Sequence, residues 1–127
     1  MEEKDLYLSN DRFAKHAGIV LTEVKPGYAK AQMKIKDFHM NSVNLVQGGA
    51  IFTLADYAFA AAANAYGRVA LGVNVNISFL KAGISGTLYA ECKEISKSYK
   101  LANYTVTVTD DDGDKVALFN GIVYLKS

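Results

Sequence analysis

The chain has 127 residues, 50% of them hydrophobic and 21% charged, with a formal net charge of +1. These totals suit one domain over residues 1–127, able to remove about two-thirds of its unfolded surface from water. They give no general case for nucleic-acid or membrane binding. A lone cysteine, Cys92, excludes an internal disulfide framework, and Met1 to Asp5 is acidic rather than basic and then apolar, so a reducing cytoplasm without a secretory leader is expected.

In chain order, Ser9-Asn10-Asp11 reads as the cap of a short amphipathic helix, Arg12 to Ala17, closed by Gly18. Phe13 is expected to anchor it, and His16 suits its last turn, where the helix dipole favours a cation. Ile19 to Val24 and Tyr28 to Ile35 read as strands joined by the turn Lys25-Pro26-Gly27. In the second, Ala29, Ala31, Met33 and Ile35 alternate with Lys30, Gln32, Lys34 and Lys36, so one face is buried and one is wet. Lys36 to Gln47 is then a loop dense in polar groups, with His39, Asn41, Ser42 and Asn44. Ordinary turn chemistry accounts for such a loop, and so does a polar site beside a buried element.

Residues 50–66 are mostly Ala, Leu, Ile and Phe without Pro, which predicts a helix, and Gly67 is placed to stop it. This helix is apolar nearly all round and should be buried on most sides. It is too short to cross a bilayer, and Asp56 sits in its middle. Gly48-Gly49 leaves the helix start bare, so its free N–H groups and dipole can hold a carbonyl oxygen as charge builds on it. A carboxylate inside such a helix must find partners, take up a proton or line a cavity. Asp56 is therefore either an acid at a subunit contact or a nucleophile or general base in a partly dry pocket. Gly48 and Asp56 lie roughly 12 Å apart along one helix axis, whereas a reacting carbonyl needs both at about 3 Å. One helix cannot do that; two antiparallel copies could. If both belong to one site, the protein is at least a dimer.

Three strand-like runs follow the helix: Val69 to Leu80, Thr87 to Ser98 and Leu101 to Thr109. The first places Val73, Val75, Ile77 and Phe79 on one face, the second Leu88, Ala90, Cys92 and Glu94, the third Tyr104, Val106 and Val108. Val116 to Leu125 closes the sheet after the turn Asp111-Asp112-Gly113-Asp114, which lacks the spacing of a calcium loop and reads as a hairpin turn. The sum is an α+β chain, a curved antiparallel sheet wrapped around one long central helix.

Asn41, Gln47-Gly48-Gly49, Phe52-Thr53-Leu54-Ala55-Asp56 and Asn64 together resemble the hotdog-fold acyl-CoA thioesterases of the phenylacetate-degradation (PaaI-type) branch. Asn76 to Lys81 is similar to the strand after the helix in those proteins, and Lys97 to Lys100 with Asp112 to Ala117 to their last hairpins. The resemblance covers roughly residues 10–126. It implies that Asp56 attacks the thioester carbonyl or deprotonates the attacking water, that Gly48 N–H of the facing chain polarises that carbonyl, that Gly49 permits close approach, and that Asn41 orients it. It places Asn76, Phe79, Leu80 and Lys81 along the coenzyme A arm. Lys81, Lys97 and Lys100 are candidate phosphate contacts, with solvated strand ends as the alternative.

Two departures stand out. Gln47 replaces the family's usual His before the glycines and cannot carry a proton at neutral pH; Ala60 stands where related enzymes can carry a hydroxyl. The reading is an acyl-CoA thioesterase acting on an acyl- or aryl-acyl-CoA, without cofactor or metal, as a homodimer that pairs further into a dimer of dimers. The alternative is a non-catalytic hotdog protein that binds acyl-CoA as a sensor. A hydratase needs a His on the central helix, and neither His16 nor His39 falls there. Two His and one Cys without ligand spacing do not support a metal enzyme.

Overall fold

The computed structural model describes residues 10–127, so Ser9 of the expected cap lies outside the described residues. In chain order the elements are α1 (Arg12–His16), β1 (Ile19–Lys25), β2 (Tyr28–Lys34), a 3-10 turn (Asp37–His39), α2 (Gly48–Asn64), β3 (Ala70–Phe79), β4 (Thr87–Lys97), β5 (Leu101–Thr109) and β6 (Lys115–Leu125). The strands form a six-stranded sheet in the order β1-β2-β4-β5-β6-β3, every neighbouring pair antiparallel.

Helix α2 lies across the inner face and meets all six strands. Ile51, Leu54, Ala55, Tyr57, Ala58, Phe59, Ala61, Ala62 and Ala63 are buried, which is what an all-round apolar helix requires. The sheet answers with the alternation read in the sequence: Ala29, Ala31 and Met33 on β2, Leu88, Ala90 and Cys92 on β4, and Tyr104, Val106 and Val108 on β5 are all buried. Burial pushes the Cys92 thiol up to about 12, so it is an unreactive core group. Phe59 is the central knob, its ring centroid 5.3 Å from Phe119 and 5.7 Å from Tyr104. Among the described residues no helix is long and apolar enough to cross a membrane.

Several expectations are corrected. Phe13 does not anchor α1: it is 70% exposed, and Ala14, at 1%, is the residue that packs. Asp11 is the cap, its Oδ1 accepting from Ala14 N–H at 3.0 Å. Helix α2 starts at Gly48 and ends at Asn64, with Ala65 as its right-handed C-cap; Gly67, at φ +90°, turns the chain two residues later. Asn64 makes the stop, because its Nδ2 donates to the Ala60 and Ala70 carbonyls while its Oδ1 accepts from Ala70 N–H. Val73 is 59% exposed, since the register shift between Gly72 and Asn74 removes it from the buried alternation.

A Cβ at Gly121 would stand 2.6 Å from Phe59 Cζ and 2.7 Å from its Cε1. Gly121→Ala is expected to cost about 1–3 kcal/mol by overpacking, read as a lower urea midpoint. An unchanged midpoint would mean that β6 does not need this close approach.

Candidate functional site

Along one strip of α2, Gly49, Thr53, Asp56 and Ala60, spaced three or four apart, are exposed or half-buried, while nine residues of the helix are buried. Asp56 has no hydrogen-bond or ion-pair partner among the described residues. Its pKa is raised above the ordinary carboxylate value, first by burial and then by the negative charge of Asp11. It lines an open cleft of about 940 Å³ shared with Asp11, Phe13, His16, Phe38, His39, Gln47, Gly49 and Thr53. An acid placed this way can take a proton or attack a carbon, because no described residue occupies its lone pairs.

The helix start differs from the expectation of a bare glycine pair. Gln47 is the N-cap, and its Oε1 accepts from Gly49 N–H at 2.6 Å, so that donor is taken. A Cβ at Gly49 would lie 2.6 Å from the same oxygen, so glycine there makes room for the cap. Gly48 N–H alone stays without a partner among the described residues. It opens on a second, smaller cleft of about 410 Å³, lined by Asn41, Ile51, Phe79, Leu80 and Lys81 among others. Phe79 closes over it, its Cζ standing 3.1 Å from where a Gly48 Cβ would be.

Of the sequence-predicted residues, then, one chain brings Gly48, Asn41, Phe79, Leu80 and Lys81 together and puts Asp56, Gln47 and Gly49 in the other cleft. Asn41 Oδ1 accepts from Val43 and Leu45 N–H at 3.0 and 3.1 Å, the turn chemistry expected of such a loop. Lys81 is occupied, its ammonium 2.7 Å from carboxylate oxygens of both Asp110 and Asp114, which raise its pKa. Those acids belong to a turn in which Asp110, Asp112 and Asp114 gather within 4.8 Å. Asn76 pairs with Asn120, on the solvent side of the sheet. Lys97 and Lys100 lie at the opposite end of the sheet, each against tyrosine rings.

Sequence reasoning missed Asp11 and gave His39 no role. Asp11 is 45 positions before Asp56, and nothing local hints that they share a cleft. His39 is 4% exposed; Lys36 N–H donates to its Nδ1 at 2.9 Å, and its Nε2–H donates to the Ala17 carbonyl at 2.6 Å. It straps the end of α1 to the loop before α2 and so shapes the cleft without facing it as a free base.

The sequence profile of the thioesterase superfamily matches residues 44–117, from the loop before α2 into β6. A protein of Archaeoglobus fulgidus named as a candidate esterase is 40% identical over 122 residues, covering 95% of this chain and 79% of its own. The acyl-coenzyme A thioesterase PaaI of Escherichia coli K12 is 33% identical over 113 residues, covering 88% and 81%. The structure of the Escherichia coli PaaI protein from the phenylacetic acid degradation operon superposes with a TM-score of 0.93 at 30% identity, covering 97% of this chain and 90% of that one.

An acid whose pKa rises on folding makes the fold less stable as pH climbs through that raised value, because the unfolded chain ionises it more easily. Asp56→Asn is therefore expected to melt a few degrees above the native protein at neutral pH. The gap should close below the ordinary carboxylate range of about 3.9, where both side chains are neutral. A native protein that melts higher than the variant at neutral pH would show the carboxylate to be paired after all.

Proposed function

Because the chain belongs to the thioesterase superfamily, in its PaaI-type hotdog branch, we propose that it hydrolyses an acyl- or aryl-acyl-CoA thioester to the free acid and coenzyme A. The observation that carries this is Asp56, a half-buried carboxylate with raised pKa and no partner among the described residues, open to a cleft. Two routes use it. The carboxylate removes a proton from a water whose oxygen attacks the carbonyl, or it attacks directly and water opens the resulting anhydride. Either way the C–S bond breaks and the sulfur leaves as thiol. Gly48 N–H, at the positive end of α2, would donate to the carbonyl oxygen as it gains charge.

The reaction centre we propose is shared between two copies. Gly48 and Asp56 are roughly 12 Å apart along α2 and open on different clefts, so a second chain must supply the missing half. Strand β3 is an edge of the sheet with Leu71, Val73 and Phe79 all more than half exposed, which supports a partner pairing along it. A further pairing of dimers is compatible with this reading. The competing reading, binding without hydrolysis, has Gln47 in its favour: its oxygen is committed to the cap, and it cannot titrate.

With a panel of acyl-CoAs and a thiol reagent, the native protein is expected to release thiol, and Asp56→Asn to lower kcat by at least about 100-fold. Binding in calorimetry without thiol release would favour the sensor instead. Since the ionised acid is the active form, the rate should rise with pH through one ionisation above the usual Asp value, with no step belonging to residue 47. Light scattering that finds only monomers at assay concentration would end the shared-centre account.

A further inference from the structure

We propose that Asp11 is a specificity-determining residue: with Asp56 it gives the larger cleft two carboxylates and makes it select acyl groups that carry no negative charge. This rests on the thioester reading above. The carbonyl under attack stands at Asp56, so one of its two substituents fills the cleft of about 940 Å³ that Asp56 lines. Coenzyme A ends in phosphates, which two carboxylates repel, so the acyl group is the part that enters. It meets apolar walls made by Phe13, Phe38, Met40 and Phe52, the first two 70% and 64% exposed.

The turn of chain around α1 sets the charge of this cleft. Asp11, Phe13, Ala14, His16 and Ala17 line it, whereas Arg12 and Lys15, on the other side of the same helix, do not. Among the described residues no Lys or Arg lines it at all. The remaining ionisable groups there are His16, His39 and Tyr57. His39 is engaged through both ring nitrogens by backbone groups. Asp11 is fixed by its Oδ1, which accepts from Ala14 N–H at 3.0 Å, and it has no ion-pair partner among the described residues. Glu23, Glu91, Asp110 and Asp114, by contrast, each have a lysine at 3.6 Å or closer.

The charge of Asp11 is felt across the cleft, where it adds to burial in raising the pKa of both Asp56 and Tyr57. Asp11 is exposed, so water screens it while the cleft is empty. An acyl group that displaces this water meets a stronger field. A chain ending in a carboxylate would add a third negative charge beside the two acids, with no cation to offset it. A neutral chain meets only the apolar walls, and one ending in an ammonium group is attracted.

The test compares three CoA esters of similar length, heptanoyl, adipyl and 6-aminohexanoyl, whose far ends are neutral, anionic and cationic. Asp11→Asn and Asp11→Ser each keep a side-chain oxygen for the Ala14 N–H cap and remove the charge. In both variants kcat/KM is expected to rise about fivefold for the adipyl ester and to fall by a similar factor for the aminohexanoyl ester. For the heptanoyl ester it should change by less than about twofold, and added salt should shrink all these differences. The pH at which the rate rises should also move down, since Asp56 loses a negative neighbour. Equal changes with all three esters would assign Asp11 to the fold of α1 alone, and no change would mean that its charge does not reach the acyl group. Either result overturns the proposal. If the native protein cleaves none of the three, the thioester reading fails on its own, and calorimetry with the same esters decides the selectivity. Weaker binding of adipyl-CoA that Asp11→Asn relieves supports it; equal binding, or none, overturns it.

Discussion

Everything in this molecule follows from the need to enclose one helix that is apolar on nearly every side. A helix with a single apolar stripe can rest on a flat sheet. Helix α2 cannot, and six strands curve around it. Its alanines make the wrap tight, since Ala55, Ala58, Ala61, Ala62 and Ala63 let the strands approach and are all fully buried. Phe59 is the large ring at the centre of the wrap, and the sheet accommodates it by presenting bare backbone at Gly72 and Gly121. The result is a rigid axle, and a group on its uncovered strip is held in a fixed direction.

That rigidity separates the chemistry. Asp56 and the Gly48 N–H are fixed on one rod with no freedom to approach each other, and the two clefts lie on different sides of it. A shared centre is then a matter of symmetry rather than motion: a two-fold axis between antiparallel helices would exchange the halves twice over. The open strip of α2 and the apolar edge of β3 are two surfaces left uncovered among the described residues.

Most polar residues that look available are committed nearby. Gln47 caps Gly49, Asn41 ties the loop through Val43 and Leu45, His39 straps α1 to that loop, and Lys81 holds two acids of the hairpin turn. Each answers a local need for a hydrogen bond or a counter-charge. Asp56, by contrast, has no such commitment among the described residues. Uncompensated charge in an otherwise satisfied structure draws a ligand of the opposite sign or a reacting proton.

The elements themselves were legible in the sequence. Alternation along β2, β4 and β5, the length of the apolar run and the turn residues each carry their signal within a few positions, so the buried faces could be assigned by counting. The motif from Gln47 to Asp56 could be assigned for the same reason, its spacing being fixed by the helix repeat. Side-chain commitments could not. That Phe13 points outward while Ala14 packs, that Val73 falls at an irregular register, and that Gln47 folds back on Gly49 depend on neighbours distant in the chain or on one torsion among several. Local periodicity determined which faces are buried; only the closed sheet decided that Asp11 stands near Asp56, that Lys81 meets Asp110, and that Arg68, Lys100 and Tyr124 converge. Contacts between residues tens of positions apart leave no periodic trace, because the free energy that selects them arises when the strands have already met.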